Sequence, residues 1–348
     1  MPDGLSAGSL QCQFQTDNPL WVTVGSMTSQ LPDVLVIGAG VSGLTTAICL
    51  AEAGCSVTVA AAQRTPLITS AAAGAIWGPH LVGMDERVAR WGAVTLARLA
   101  ELATDPGSGV HVASGITASA DQRAAPFDWV SALDSASPCG PAGLPDGYTA
   151  GWRLTVPIVS MPVYLGYLMA RLDRAGGQLR EAEFGSLAEA AGLTTAPVIV
   201  NCSGIGARRL VPDLDVTPVR GQVVVTENPG LSEFFIGVGE DAGDVSYFIP
   251  HGDIVVLGGT EEEGNWSLDP DPATAERILR ACAAVQPRLA GATVTAHRVG
   301  LRPVRPSVRL EAEVLDGGVV LVHNYGHGGA GVTLSWGCAL EVTATVLS

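Results

Sequence analysis

Lysine is absent from the 348 residues, and all 19 basic side chains are arginine. A pyridoxal Schiff base and the phosphate-gripping lysine of a P-loop both need that amine, so both chemistries are excluded. The seven cysteines (Cys12, Cys49, Cys55, Cys139, Cys202, Cys282, Cys338) are scattered, odd in number and lack a C-x-x-C pair. That pattern argues against a disulfide framework or thiolate zinc site and for small buried hydrophobes in a reducing cytoplasm. No H-x-x-x-H pair falls on a helical stretch. His323 and His327 have the spacing but sit in a glycine-rich run, so no metal is expected.

Basic residues are also few beside the 34 acids, leaving a formal charge of −15 and a pI of about 4.7. A fixed negative field of that size repels phosphate backbones, and nucleic acid is excluded as a partner. Apolar residues make up 47%, enough for a sizeable core. Val34–Ala51 carries no charge and is long enough to raise the question of a membrane span. Three glycines and several Ser/Thr interrupt it, so a strand followed by a helix is expected and no membrane. The first 26 residues show neither a basic n-region nor an apolar h-region, which speaks against a secretory signal. Residues 1–26 are read as an extension, with Met27 as the functional start and the cytoplasm as the location.

Val34–Ile37 reads as a strand, Gly43–Ala53 as a helix and Val57–Ala60 as a second strand, the β-α-β opening of a doubly wound sheet. A helix is expected over 85–104, then long loops around short strands from Asp105 to Gly151. Pro162–Arg174 reads as a helix and Pro197–Asn201 as a buried strand. Val223–Thr226, Val245–Ile249 and Ile254–Gly258 read as strands of a second, mostly antiparallel sheet. Ala273–Val285 is an amphipathic helix, and Val319–Val322 a last strand before a glycine turn and a helix from about Thr333. The fold class is therefore α/β. A discontinuous Rossmann-like dinucleotide-binding domain (27–79, 152–204 and 296–348) is expected to carry an inserted α+β substrate domain (80–151 and 205–295).

Gly38-Ala39-Gly40-Val41-Ser42-Gly43 follows a strand and opens a helix, the context a G-x-G-x-x-G turn needs. Its glycines let backbone approach a pyrophosphate, and the helix end offers N–H groups and partial positive charge. The motif alone leaves FAD and NAD(P) both open. No acid follows the second strand, which ends Val59-Ala60-Ala61-Ala62-Gln63-Arg64, so the usual ribose carboxylate is missing. Arg64 alone hints at a 2′-phosphate and NADP; a surface arginine is the plainer reading.

The C-terminal run from Val322 through His323-Asn324-Tyr325-Gly326-His327-Gly328-Gly329-Ala330-Gly331-Val332-Thr333, with Trp336-Gly337-Cys338-Ala339, resembles the signature of the D-amino-acid oxidases. Thr65-Pro66-Leu67 through Ala73-Gly74-Ala75-Ile76-Trp77 resembles that family's flavin-facing loop. Arg220-Gly221-Gln222, Tyr247-Phe248-Ile249-Pro250, Gly258-Gly259-Thr260, Gly264-Asn265-Trp266 and Gly300-Leu301-Arg302-Pro303-Val304-Arg305-Pro306 match further blocks in order. Together they span about 33 to 348.

The resemblance implies FAD. Its contacts would be Gly38, Ala39, Gly40, Val41, Ser42, Gly43, Gln63, Arg64, Thr69, Ser70, Gly74, Ala75, Ile76, Phe184, Ser203, Gly204, Arg302, Gly328, Gly329, Gly331, Val332 and Thr333. It also implies that Arg302 grips a substrate carboxylate with its two-pronged guanidinium, that Tyr247 adds a phenol, and that the Gly329 carbonyl accepts the amine. Arg305 and Arg309 are read as surface salt-bridge formers. The implied reaction is hydride transfer from Cα of a D-amino acid to the flavin without a dedicated protein base. Imine hydrolysis to a 2-oxo acid and ammonia follows, with reoxidation by O₂ to H₂O₂.

Two departures bear on substrate. Ile236–Ser246, matching the active-site lid of some relatives, contains no tyrosine and is rich in glycine and acid. Glu261 stands where D-aspartate oxidases carry an arginine, so neutral or basic D-amino acids are expected over D-aspartate. A glycine or sarcosine oxidase, an NADP dehydrogenase and a catalytically silent flavin-binding protein stay open as alternatives, as does a homodimer.

Overall fold

The computed structural model describes residues 31–124, 128–239, 245–315 and 317–348. The expectations for residues 1–26 and Met27 lie outside the described residues. Asp33–Ile37, helix Val41–Glu52 and Ser56–Ala61 form the anticipated β-α-β unit. The strand is buried on both faces: Val34 and Val36 point into one apolar cluster, Leu35 and Ile37 into another. Such two-sided burial is what a parallel strand between helical layers requires.

Five parallel strands run in the order Gln178–Glu181, Ser56–Ala61, Asp33–Ile37, Val198–Asn201 and Val320–His327. On one face, Val41–Glu52 packs against the C-terminal helix Gly331–Leu347 and against Met161–Arg174. Leu44, Ile48 and Leu50 are fully buried there, each worth roughly 1.5–3 kcal/mol of hydrophobic stabilisation. Glu86–Leu102, grouped by sequence with the substrate domain, packs on the C-terminal helix. The helices run so close that a Cβ on Gly337 would stand 2.4 Å from the Trp91 Cα.

The other half is mainly antiparallel. From Thr217–Glu227 it runs outward through Ile254–Gly258, Val245–His251, Phe234–Val238, Val110–Ser119 and Ala150–Val159, only the step from Phe234–Val238 to Val110–Ser119 being parallel. Val110–Ser119, ten residues, is longer than the short strands expected between Asp105 and Gly151, and Ala150–Val159, also ten residues, begins where that stretch ends. Helix Pro272–Val285 covers the back of this half with Ile278 and Cys282.

One strand of 21 residues, Val294–Val314, unites the halves into a single sheet. It pairs antiparallel with Thr217–Glu227 over Val294–Val304 and with Val320–His327 up to Val314, its register shifting between Val304 and Arg309. Arg302 sits near that changeover. Residues Leu31–Ser348 hold together as one compact unit. Among the described residues no helix is long and apolar enough to cross a membrane, and no cluster of three His, Cys, Asp or Glu could hold a metal.

Arg305 and Arg309 are more enclosed than surface ion pairs. Arg305 Nε donates to Asp213 Oδ2 at 3.0 Å, and the fully buried Tyr325 donates its hydroxyl to the same oxygen at 2.7 Å while accepting from Arg309 Nη1 at 2.8 Å. Burial pushes the Asp213 carboxyl up, but these bonds outweigh it and hold the group below its usual range.

Candidate active site

A cleft of about 680 Å³ opens along the carboxyl ends of the parallel strands and continues beneath the antiparallel half. That volume suits an extended cofactor together with a small substrate. At one end is the glycine turn. Gly38 has φ +112°, and a Cβ there would lie 2.4 Å from the Cys202 carbonyl oxygen. Gly43 faces the Gly38 oxygen, which a Cβ would approach to 1.9 Å, so the third glycine is dictated by helix-on-strand packing. Gly40 is different: the nearest atom to its Cβ position is Ser70 Oγ at 3.2 Å, leaving its exposed side for a ligand. Ser70 Oγ accepts the Val41 N–H at 3.0 Å and ties the turn to the loop over it.

That loop forms the middle of the cleft. Thr69 Oγ1 donates to the Leu301 carbonyl at 3.1 Å, beside Arg302. The Gly74 carbonyl is held by His251 Nε2 at 2.8 Å. Burial pushes His251 down to about 4, so its ring is neutral, and Nε2 is the protonated atom because the partner is a carbonyl. Among the described residues its buried Nδ1 has no partner.

The far end holds the groups suited to an amino acid. Arg302 Nη1 donates to the Thr260 carbonyl at 2.9 Å. The guanidinium lies flat on Gly221, where a Cβ would come within 2.5 Å of both terminal nitrogens. Thr260 is itself fixed, its hydroxyl accepting the Gln222 N–H at 2.9 Å. Among the described residues Arg302 forms no ion pair, whereas the other arginine lining the cleft, Arg209, is paired with Glu183. Tyr247 packs its ring on Gly258, where any Cβ would fall 2.1 Å from the ring. Burial pushes its phenol up and the nearby Arg302 charge opposes that, so it remains a neutral O–H donor.

Gly328 and Gly329 close this end. Gly328 has φ +55° and abuts the Leu81 carbonyl; Gly329 abuts the His80 ring, whose Cδ2 would be 2.4 Å from a Cβ. The Gly329 N–H donates to the His80 carbonyl at 3.0 Å, leaving the Gly329 carbonyl for another partner. Behind them His327, pushed down to about 4 by burial, stays neutral and meets Asn324 Oδ1 at 3.0 Å. Helix Gly331–Leu347 begins here with no acidic residue in its first turn and no side-chain cap, so its positive end faces the cleft unneutralised.

Gly38, Ala39, Gly40, Val41, Ser42, Gln63, Thr69, Ser70, Gly74, Ala75, Ile76, Phe184, Ser203, Gly204, Tyr247, Arg302, Gly328, Gly329, Gly331 and Val332 all line this one cleft. Gly43, Arg64 and Thr333 stand outside its lining. Gly43 is packed beneath the turn, Arg64 is exposed, and Thr333 is buried with its hydroxyl bridging the N–H and carbonyl of Gly78. His80, Thr260, Asn324, His327 and the Glu183–Arg209 pair also line the cleft without having been singled out as site residues. Thr260, Asn324 and His327 lie inside the blocks quoted above without an assigned role; no local motif marks His80, Glu183 or Arg209, which tertiary structure brings in. Part of Ile236–Ser246 falls in the paired strands Phe234–Val238 and Val245–His251, and residues 240–244 lie outside the described residues.

The cradle suits FAD on these grounds: an unblocked glycine at Gly40, two helix ends aimed inward, and a long path between the turn and Arg302. Comparison with known proteins agrees. Residues 33–345 match a family model described as FAD dependent oxidoreductase. The chain is 49% identical over 312 residues to a D-amino-acid oxidase of Rubrobacter xylanophilus, covering 89% of this chain and 94% of that protein. It is 44% identical over 314 residues to a D-amino-acid oxidase of Streptomyces coelicolor, covering 89% and 95%. The crystal structure of glycine oxidase from Geobacillus kaustophilus shares the fold at a TM-score of 0.75 and 20% identity, over 92% of this chain and 95% of that one. The chain thus belongs to the family of FAD-dependent oxidoreductases that contains the D-amino-acid oxidases.

Proposed function

We propose that the chain catalyses the oxidative deamination of neutral or basic D-amino acids to 2-oxo acids, ammonia and H₂O₂. One observation carries the reading: Arg302, half-buried and forming no ion pair among the described residues, shares a cleft with the exposed Gly329 and its carbonyl. When bound, FAD supplies the two-electron acceptor that O₂ regenerates. It would lie along the Gly38–Gly43 turn, the Thr69–Ile76 loop and the amino end of Gly331–Leu347.

Arg302 takes the substrate carboxylate through the donors that Thr260 leaves free, and Tyr247 adds its O–H. The Gly329 carbonyl accepts the amine N–H. Gripping carboxylate and amine at two separate points leaves the α-hydrogen and the side chain to exchange places between enantiomers, so the site reads handedness. Catalysis is positioning plus electrostatics, and the groups around the reacting carbon need transfer no proton from it. Glu261 in the same cleft disfavours an acidic side chain. The reading includes a division of labour between the dinucleotide-binding segments (27–79, 152–204, 296–348) and the substrate-binding ones (80–151, 205–295). It also includes a cytoplasmic enzyme that pairs as a homodimer.

Peroxide release from a panel of D-amino acids tests the proposal. D-alanine and larger neutral or basic residues are expected to turn over and D-aspartate to be among the poorest. D-aspartate as the best substrate, or no peroxide from any D-amino acid, would overturn it.

A further inference from the structure

Glu261 Oε1 and His80 Nε2 meet at 3.2 Å, and both residues line the cleft. Each is fastened through its backbone to one of the two substrate-gripping groups. The carbonyl of Thr260, the residue preceding Glu261, accepts from Arg302 Nη1 at 2.9 Å. The carbonyl of His80 accepts from the Gly329 N–H at 3.0 Å, with the imidazole pressed on Gly329. The pair therefore borders the part of the cleft between the two anchors, where a substrate held at Arg302 and Gly329 would place its Cα.

Of three successive acids only Glu261 is available there. Glu262 is committed to Arg220 Nη1 at 2.6 Å and to Asn265, and Glu263 is exposed. The Glu261 side chain is 24% exposed and that of His80 45%, so the carboxylate is the fixed, enclosed half and the imidazole the half nearer solvent. The bond from His80, opposed by burial and aided by the His80 and Arg302 charges, holds the Glu261 carboxyl below the usual range, so it is ionised at neutral pH.

We propose that Glu261 reads the charge of the substrate's side chain: an ammonium or guanidinium at its end takes the place of His80 on the carboxylate. The inference rests on the D-amino-acid reading of this cleft and narrows it to cationic D-amino acids. A charge-assisted hydrogen bond in an enclosed site is the kind of contact that changes specificity about tenfold or more.

The measurement is kcat/KM for D-lysine relative to D-norleucine, which shares the four-carbon chain without the ammonium. Losses common to both substrates cancel in that ratio. The wild-type ratio is expected to be near or above one, because without a receiving carboxylate desolvation of the ammonium disfavours D-lysine. In Glu261→Gln the ratio is expected to fall about tenfold. An unmoved ratio overturns the inference. Should Glu261→Gln not retain FAD, His80→Asn carries the same test with the opposite sign: removing the competitor raises the ratio, and an unchanged or lower one contradicts the proposal. Wild-type turnover of D-norleucine or D-lysine keeps the questions apart. Without turnover of D-norleucine or D-lysine the reading and the inference fall together; with turnover of either, an unmoved ratio sinks the inference alone.

Discussion

Arg302→Ala is expected to lower kcat/KM for D-alanine by roughly 30- to 5,000-fold, the loss of a charge-assisted carboxylate contact worth about 2–5 kcal/mol in an enclosed site. The guanidinium is held by the Thr260 carbonyl and the flat of Gly221, not by an acid, so its removal leaves no orphaned carboxylate. The fold is therefore expected to survive, and the loss to appear in steady-state kinetics per bound flavin. Arg302→Lys is expected to restore little, because a point ammonium cannot reproduce a planar fork. Near-normal kcat/KM in the flavin-loaded alanine variant would remove Arg302 from the substrate site.

Gly43→Ala is expected to abolish retention of FAD and to lower Tm. Its new methyl would stand 1.9 Å from the Gly38 oxygen, both of them backbone-fixed, so the helix Val41–Glu52 has to back away from the turn. Overpacking of this kind costs about 1–3 kcal/mol even where neighbours can yield. Gly40→Ala provides the contrast. Its Cβ meets only Ser70 Oγ at 3.2 Å, so Tm is expected to hold while FAD affinity falls, since that methyl occupies the ligand's approach. The ratio of flavin to protein absorbance and a thermal melt distinguish the two. A yellow Gly43→Ala protein melting like wild type would refute the packing account.

How much of this was legible beforehand depended on whether the signal was local. The β-α-β turn was readable because a strand, three spaced glycines and a helix stand side by side in the chain. The strand Val294–Val314 was not: Pro303, Pro306 and several arginines break its alternation, and it is held extended by partners on both sides. Val110–Ser119 and Ala150–Val159 were obscured by glycines that look like turn signals. Gly115 is instead required inside a strand, because a Cβ would lie 2.3 Å from the Phe234 oxygen. In the site, Arg302, Tyr247 and Gly329 were named from motifs, and the cleft brings them together. His80 carries no motif. Its place follows from Gly328 and Gly329 closing on Leu81 and His80, a contact across roughly 250 residues of chain that no spacing announces. Glu183 and Arg209 are likewise brought to the turn end of the cleft by tertiary structure, near where the second strand lacks an acid.

The central claim is that Arg302 and the Gly329 carbonyl hold a substrate so that only one handedness presents its α-hydrogen to the flavin. Anaerobic mixing of the purified, FAD-loaded protein with D-alanine and, separately, with L-alanine tests it most directly, read as loss of the oxidised flavin's yellow colour. Rapid bleaching by D-alanine and none by L-alanine is the predicted result. Bleaching by both at similar rates, or by L-alanine alone, would contradict the arrangement.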